Sequence, residues 1–349
     1  MKEQKKRSAG AVIILLAALL GVIRSETLKA GASAGIKSCL TAVIPSLYFF
    51  LFLSTAAAYA GFPSRTVQKA GKFTFILFGL PGDALISVIT SLTCGYPSAA
   101  KSAAALSDGT KNTEYTKRLL LFFTCPGIPF TVVFCGKTLF GSTKTGLLLY
   151  FSCLTADLLC AVIFNRLFPP EYRAASVGKT TGNFSVASAV GAATDGIISV
   201  CGWIVLFSAV SEVLLSFVTN EKIAAAIRLV SEITVSAEEC ARSHSMTAAA
   251  FCLSFGGICI FFQLLPMMNE TGVKPAGYLL ARTACGITAA GIEKLLLAVF
   301  PQADTVNAVL TPKLSYSGTV TGSLSLILLS VIFIIKLNEN GVRNNNMNN

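Results

Sequence analysis

The chain carries little charge for its length. Of its 349 residues only 13% are Asp, Glu, Lys or Arg, whereas 53% are hydrophobic, and the mean hydropathy is +0.69. Soluble domains contain about 25% charged residues, which cover the surface that faces water. So little charge excludes a soluble globular fold of this size, and the apolar excess indicates an exterior whose solvent is lipid.

Histidine is nearly absent, and the cysteines are not paired. His244 is the single histidine, and the 11 cysteines are scattered without a C-x-x-C pair, which excludes the usual zinc ligand sets. We interpret the cysteines as small apolar residues that form neither a disulfide nor a metal site. A P-loop and an H-E-x-x-H motif are also absent, so we expect no P-loop ATP binding, no cofactor and no enzymatic activity.

The net charge of +11 is not a nucleic-acid signature, because Lys and Arg are scattered through the short connections between apolar runs. Cations cluster only at the N-terminus, in residues 1–7, directly before the apolar run 9–23. This order predicts an uncleaved N-terminal anchor helix within 1–33 and a cytoplasmic N-terminus.

Apolar runs long enough to cross a bilayer recur along the whole chain. They predict an all-α polytopic membrane protein with about 8–10 transmembrane helices, each of about 20 residues. The predicted crossings are 9–23, 38–60, 73–93, 118–136, 145–168, 186–218, 246–267, 276–299 and 320–336. The last of these belongs to a C-terminal segment, 300–337, and the Asn-rich tail 338–349 is predicted to be disordered.

Two apolar segments are too short or too broken to be ordinary crossings. Cys94-Gly95-Tyr96-Pro97 precedes a short helix of small residues that contains Lys101, and Glu232-Ile233-Thr234 interrupts the segment 222–241. Irregular backbone survives at membrane depth only inside protein or against a water-filled cavity. We interpret 94–106 as re-entrant, and 222–241 as either re-entrant or a surface-lying amphipathic helix.

The two halves of the chain share an order of features. Gly95 is followed six residues later by Lys101, and Gly257 is followed six residues later by Gln263. The spacing predicts a first repeat over 34–168 and a second over 186–299. An odd number of crossings between the two glycines predicts that these repeats are inverted in the membrane.

Several stretches carry a family resemblance. They are Val43-Ile44-Pro45-Ser46-Leu47, Cys94-Gly95-Tyr96-Pro97-Ser98-Ala99-Ala100-Lys101, Thr124-Cys125-Pro126-Gly127-Ile128-Pro129-Phe130, Phe140-Gly141-Ser142, Glu232-Ile233-Thr234, and Ser254-Phe255-Gly256-Gly257 with Gln263. Together they resemble the YlbJ-type sporulation integral membrane proteins, which belong to the nucleoside-recognition, or Gate-domain, membrane families. The resemblance implies a protein of the cell membrane or outer forespore membrane of a spore-forming bacterium. It also implies transport of dipicolinic acid, a dianion, from mother cell towards forespore.

Candidate binding residues come from the broken and kinked segments. Lys101 beside free N–H groups at a helix start would attract a carboxylate, the ring of Tyr96 could stack on an aromatic solute, and Gln263 offers an amide. Glu232 with Thr234 could hold a coupling ion or a proton. The predicted substrate-binding set is Gly95, Tyr96, Pro97, Lys101, Cys125, Pro126, Gly127, Glu232, Thr234, Ser254, Gly256, Gly257, Gln263 and Arg282.

Four further charged residues lie in or near the apolar runs. Arg282 is either a second anion contact or a residue at the membrane edge. Asp83, Asp157 and Asp195 could relay protons, but the sequence names no partner for them.

The leading interpretation is a secondary carrier for a small aromatic anion, with dipicolinate as the suspected substrate and the lipid bilayer as its surroundings. A nucleoside-type carrier and a non-transporting membrane scaffold of spore assembly are the alternatives. A membrane hydrolase is disfavoured, because the sequence lacks a Ser–His or paired-Asp arrangement that could perform the chemistry.

Replacing Lys101 by Met tests the predicted anion contact. A charge-assisted hydrogen bond to a carboxylate contributes about 1.5–3 kcal/mol, so the variant should bind substrate roughly 10- to 100-fold more weakly. Substrate affinity in reconstituted vesicles measures the effect. A variant that inserts normally and transports with wild-type affinity would make Lys101 an interfacial lysine only.

Overall fold

Helix is the only regular structure in the described part of the chain, which comprises residues 15, 18–60, 71, 73–96, 113–170 and 185–301 of the computed structural model. These residues belong to one compact unit, Met1–Leu310. The predicted all-α class is confirmed. Pro97, Lys101, residues 302–337 of the C-terminal segment and the tail 338–349 lie outside the described residues.

The α-helices are numbered in chain order. They are α1 Ser25–Ser38, α2 Ile44–Ala60, α3 Leu85–Cys94, α4 Thr113–Phe122, α5 Thr143–Leu167, α6 Val186–Leu215, α7 Glu221–Ser231, α8 Ile233–Arg242, α9 Met246–Phe255, α10 Gly257–Thr271 and α11 Pro275–Val299. A short π-helix, Cys39–Val43, joins α1 to α2, and a long π-helix, Pro129–Leu139, precedes α5.

Four helical stretches in the described residues are long and apolar enough to cross a membrane. They are Ser25–Ala56, Thr143–Leu167, Val186–Leu215 and Met246–Thr271. Large apolar side chains such as Leu280, Phe151 and Leu206 are exposed on the outside, whereas Arg282 and Asp157 are buried. This inverted distribution is the one that lipid requires, so the chain is a polytopic membrane protein.

The predicted crossings differ from the observed helices where glycine and proline interrupt them. Segments 145–168, 186–218 and 276–299 match α5, α6 and α11 closely. The predicted crossing 73–93 is instead interrupted by Gly79 in a left-handed conformation (φ 66°) and by Pro81. The predicted crossing 118–136 breaks after Phe122, because α4 ends there and irregular backbone precedes the long π-helix.

Side-chain caps explain where several helices begin. The Ser142 hydroxyl accepts a hydrogen bond from the backbone N–H of Thr145 (3.3 Å) at the start of α5. Asn220 caps α7 and Ser245 caps α9 in the same way. Each cap satisfies an N–H group that has no partner within its own helix.

Two ion bridges meet at Arg228 of α7, and one of them fastens α7 to α8. The Arg228 guanidinium donates to Glu239 on α8 (2.9 Å) and to Glu221 at the start of α7. Glu221 is mostly exposed, whereas Arg228 and Glu239 are largely covered. The two helices therefore form a hairpin held by charge as well as by packing, and we call it the α7–α8 hairpin.

Helix α1 packs against α6 through glycine. A Cβ atom at Gly31 would lie 2.6 Å from the Ser208 carbonyl oxygen and 2.9 Å from the Ala209 Cα. At Gly35 it would lie 2.9 Å from the Val205 Cα. The backbones therefore approach as closely as glycine allows, which is how membrane helices gain packing energy when lipid supplies no hydrophobic drive.

Replacing Gly31 by Ala should separate α1 from α6. The added methyl group meets backbone that cannot yield, so we expect a loss of about 1–3 kcal/mol of stability. The melting temperature in detergent measures it. The matched control is Gly202→Ala on α6, since a Cβ atom there meets nothing within 4 Å. Equal melting temperatures for the two variants would contradict the close-packing account.

Candidate functional site

Four breaks in helical structure meet at one place. The first follows α3 at Gly95, the second is the irregular stretch 124–127 after α4, the third is Glu232 between α7 and α8, and the fourth is Gly256 between α9 and α10. These four segments come from distant parts of the chain. Such broken helices form the central sites of membrane transporters.

Contacts between the breaks show that they touch. A Cβ atom at Gly95 would lie 2.8 Å from the backbone nitrogen of Gly127, and one at Gly256 would lie 3.3 Å from the ring of Tyr96. At Gly257 it would lie 3.4 Å from the carbonyl oxygen of Val230, at the end of α7. The first break therefore contacts both the second and the fourth, and the fourth contacts the third.

Glycine is required at the first and fourth breaks because of backbone conformation. Gly95 has φ 90° and ψ −168°, a region open almost only to glycine, and Gly256 and Gly257 have φ 90° and 78°. The second break depends on Pro126 and Pro129, which lack the N–H that would continue the helix. The sequence thus dictates where these helices stop.

The third break is organised by a carboxylate. Glu232 has extended backbone, and its side chain caps α8: Oε2 accepts from the backbone N–H groups of Thr234 (3.0 Å) and Val235 (3.1 Å) and from the Thr234 hydroxyl. Only 1% of the residue is exposed. The other oxygen, Oε1, has no hydrogen-bond partner among the described residues.

The four breaks surround a cavity of about 50 Å³. That volume holds only a few water molecules, at about 10–15 Å³ each. Its walls are mostly apolar, with polar atoms supplied by Glu232, Thr234 and Gln263. The described lining residues are Val43, Leu47, Gly95, Tyr96, Pro126, Gly127, Phe130, Val200, Ile204, Glu232, Ile233, Thr234, Cys259, Ile260 and Gln263.

Half of the predicted binding set lines this cavity. These residues are Gly95, Tyr96, Pro126, Gly127, Glu232, Thr234 and Gln263. Three others lie just behind it: Cys125 approaches the Ser91 carbonyl (Sγ to O, 3.6 Å), Gly256 supports the Tyr96 ring, and Gly257 contacts α7. The predicted residues Pro97 and Lys101 lie outside the described residues.

Arg282 has a different role from the predicted anion contact. It is 0% exposed and does not line the cavity in the described structure; its Nη1 donates to Oδ1 of Asp157, also 0% exposed, at 3.0 Å. Its Nη2 donates to the carbonyl of Ser254, another predicted binding residue, whose hydroxyl donates to Asp157. The guanidinium therefore neutralises a carboxylate within the protein, and the site gains no cation from it.

This ion pair supports the cavity from behind. It joins α5, α9 and α11, and it lies next to the break at Gly256 through Ser254. The Tyr96 hydroxyl donates to the carbonyl of Leu253 in the same turn of α9. The last turn of α9 is thus held from two sides, by Tyr96 and by the ion pair.

Of the three aspartates proposed as proton relays, Asp83, Asp157 and Asp195, the structure describes the surroundings of two. Asp157 has the partner that the sequence could not name, Arg282. Asp195 is exposed on α6, away from the cavity lining, and the side chain of Asp83 lies outside the described residues. Of the three, only Asp157 joins the candidate site.

Sequence reasoning missed a second buried carboxylate on α11. Glu293 is 0% exposed and accepts a hydrogen bond from the Ser152 hydroxyl of α5. It follows Arg282 by 11 residues, about three turns of helix, so both side chains lie on one face. That spacing could have revealed a polar stripe along α11. The apolar walls Val200, Ile204 and Ile260 carried no signal, because apolar residues fill every crossing.

The described residues contain no group of three or more His, Cys, Asp or Glu side chains that could hold a metal ion. The ten cysteines whose side chains the structure describes are free thiols, most of them buried. These thiols behave as small apolar side chains within the helix packing.

Comparison of the chain with models of known protein families, with curated proteins and with solved structures finds no match in any of the three. The resemblance to the YlbJ-type proteins therefore stays a prediction from the motifs in the sequence.

Breaking the ion pair should destabilise the protein strongly. Asp157→Ala leaves the Arg282 charge buried without its partner, which costs about 3–5 kcal/mol. We expect a large fall in melting temperature in detergent, and a smaller fall when Arg282→Met is added, because both charges are then gone. The control is Arg242→Gln, whose exposed guanidinium lies 3.9 Å from Glu238 and 3.5 Å from Glu239, since such surface pairs are worth at most about 1 kcal/mol each. Similar falls for the Asp157→Ala and Arg242→Gln variants would contradict the assigned role.

Proposed function

We propose that this chain is a secondary carrier whose substrate occupies the cavity at the four helix breaks. The substrate class is a small aromatic solute with a carboxylate, and dipicolinic acid, moved from mother cell towards forespore, is the best candidate. The observation that carries the proposal is the convergence of the four breaks on one cavity inside a membrane protein. Irregular backbone at membrane depth has a cost that a substrate site explains.

The walls of the cavity suit a flat ring. Phe130, Val200, Ile204 and Ile260 supply apolar surface, and the Tyr96 ring forms a further wall. The polar atoms of Thr234 and Gln263 could orient the solute, and the Gln263 amide can donate to a carboxylate. This combination of apolar walls and a few polar groups is typical of sites for small organic molecules.

A cavity of about 50 Å³ holds only a few water molecules, so an aromatic dicarboxylate needs the cavity to widen before it can bind. Opening requires movement of the elements around the cavity. The breaks at Gly95 and Gly256 supply backbone positions at which short helices can change direction. A secondary carrier needs such movement to expose its site to each side of the membrane in turn.

A nucleoside-type carrier is the second candidate, and one observation favours it. Among the described residues that line the cavity, Glu232 offers a hydrogen-bond acceptor and Gln263 offers an amide, and most of the other lining residues are apolar. A neutral solute with hydroxyl groups and ring nitrogens could bond to both without any clash of charge. The membrane scaffold has no comparable observation in its favour.

Uptake by reconstituted vesicles tests the proposal. Purified protein in liposomes should take up labelled dipicolinate, and excess unlabelled dipicolinate should compete with it better than a nucleoside such as uridine. The opposite order of competition would favour the nucleoside-type carrier. No uptake of either solute above that of protein-free liposomes would leave the carrier proposal without support.

Filling the cavity should block transport. Val200→Phe places a ring in the space that Val200 lines, so we expect uptake to fall at least tenfold while the protein inserts normally. Val210→Phe is the matched control, because Val210 lies on the same helix, α6, but is 43% exposed to the outside. Equal uptake by the two variants would place the substrate elsewhere.

A further inference from the structure

The cavity contains an acid where an anion is proposed to bind. Among the described residues that line it, Glu232 is the only one with a charged side chain. The nearby guanidiniums are engaged elsewhere, since Arg282 pairs with Asp157 and Arg228 pairs with Glu221 and Glu239. An ionised Glu232 and a substrate carboxylate would therefore repel each other in a space with little water.

The hydrogen bonds of Glu232 are divided unequally between its two oxygens. Oε2 accepts the bonds of the helix cap, from the Thr234 and Val235 N–H groups and from the Thr234 hydroxyl. Oε1 is buried and has no hydrogen-bond partner among the described residues. A proton can therefore bind to or leave Oε1 while the cap holds the side chain in place through Oε2.

The surroundings of Glu232 do not neutralise it. Other ionisable groups lie on its own helix and on the elements packed around it. The neutral ones are the hydroxyl of Tyr96 and the thiols of Cys39, Cys125, Cys201 and Cys259. The charged ones are Arg228 on α7, Glu238, Glu239 and Arg242 on α8, and Lys37 on α1. Arg228 pairs with Glu221 and Glu239, Arg242 pairs with Glu238 and Glu239, and Lys37 acts on Glu238, so none of these cations forms an ion pair with Glu232 in the described part of the chain. Glu238 adds a second negative charge that favours a neutral Glu232.

We infer that Glu232 carries a proton on Oε1 whenever the substrate anion occupies the cavity, so that the carrier moves one proton together with each substrate molecule. This inference rests on the proposed function. The proton comes from water on the side where substrate enters and is released to water on the side where substrate leaves. No bond of the substrate changes.

Each state of Glu232 has a physical role in this cycle. When protonated, Oε1 becomes a donor and can give a hydrogen bond to the substrate carboxylate. When ionised in the empty carrier, the charge is stabilised by the two N–H groups at the start of α8. The empty carrier can therefore return without a proton, as a symporter requires.

The test is uptake driven by a pH gradient. Liposomes that contain the full-length protein, with the membrane potential clamped, are given a more acidic outside and labelled dipicolinate. The wild-type protein should accumulate it against its gradient. Apparent affinity at equal pH on both sides should fall by up to about tenfold per pH unit as pH rises through the range where Glu232 loses its proton.

Glu232→Gln imitates the protonated side chain, because its amide can accept at one atom and donate at the other. The variant should exchange labelled for unlabelled dipicolinate with an affinity that no longer depends on pH, and the gradient should no longer drive accumulation. Glu238→Gln, on the same helix with a half-exposed carboxylate, should keep gradient-driven accumulation and a pH-dependent affinity, with the pH dependence displaced to lower pH because one negative charge near Glu232 is gone. The inference would be overturned if uptake by the wild-type protein does not respond to the pH gradient, or if the pH gradient still drives accumulation by the Glu232→Gln variant.

A readout without substrate separates this inference from the proposed function. Infrared difference spectra of the purified protein between acid and alkaline pH should show a protonated carboxyl group that Glu232→Gln removes and Glu238→Gln retains. If dipicolinate is not transported but this signal is present, the substrate proposal fails and the proton site stands. If Glu232→Gln leaves the spectrum unchanged, the proton site itself is refuted.

Discussion

Backbone hydrogen bonding in lipid is the constraint on which this structure depends. Every N–H and C=O group at membrane depth needs a partner, so a helix can stop there only if protein takes over its free groups. At the breaks beside Glu232 and Gly256, side chains take over such groups. Glu232 accepts from the N–H groups of Thr234 and Val235, Tyr96 donates to the carbonyl of Leu253, and Arg282 donates to the carbonyl of Ser254. The cavity is the space left where four interrupted helices cannot fill the volume between them.

Charged side chains at membrane depth also need partners, and Asp157 and Arg282 provide them for each other. A single charge at this depth would be costly, whereas the pair with Ser254 is neutral as a whole. Its position behind the break at Gly256 ties the two long helices α5 and α11 to the broken pair α9 and α10. The rigid part of the protein thus lies directly beside the part that is interrupted.

Local chemistry was readable from the sequence, and long-range pairing was not. Gly95 and Pro126 break helices because of their own backbone preferences, so their neighbourhoods could be predicted. The break at Gly256 was not predicted, because the predicted crossing 246–267 runs through it as one helix. Glu232 next to Thr234 was also recognisable as an interruption. In contrast, nothing near Arg282 in the sequence indicates Asp157, which lies 125 positions away, and the sequence therefore left Arg282 as either an anion contact or a residue at the membrane edge. Val200 and Ile204 resemble every other apolar residue of α6, and only the fold shows that they face the cavity.

Two contacts near the C-terminal end of α6 respond differently to the solution around the protein. Helix α1 is held to α6 by shape, through Gly31 and Gly35, and dispersion forces do not depend on ionic strength. In the α7–α8 hairpin, which follows α6 in the chain, the bridge from Arg228 to Glu239 joins the two helices and is largely covered. The bridge from Arg228 to Glu221 lies within α7, and Glu221 is mostly exposed. Dissolved ions screen an exposed bridge much more than a covered one. Salt therefore acts on this molecule selectively, since it weakens the bridge within α7 and has little effect on the bridge between α7 and α8 or on the α1–α6 contact.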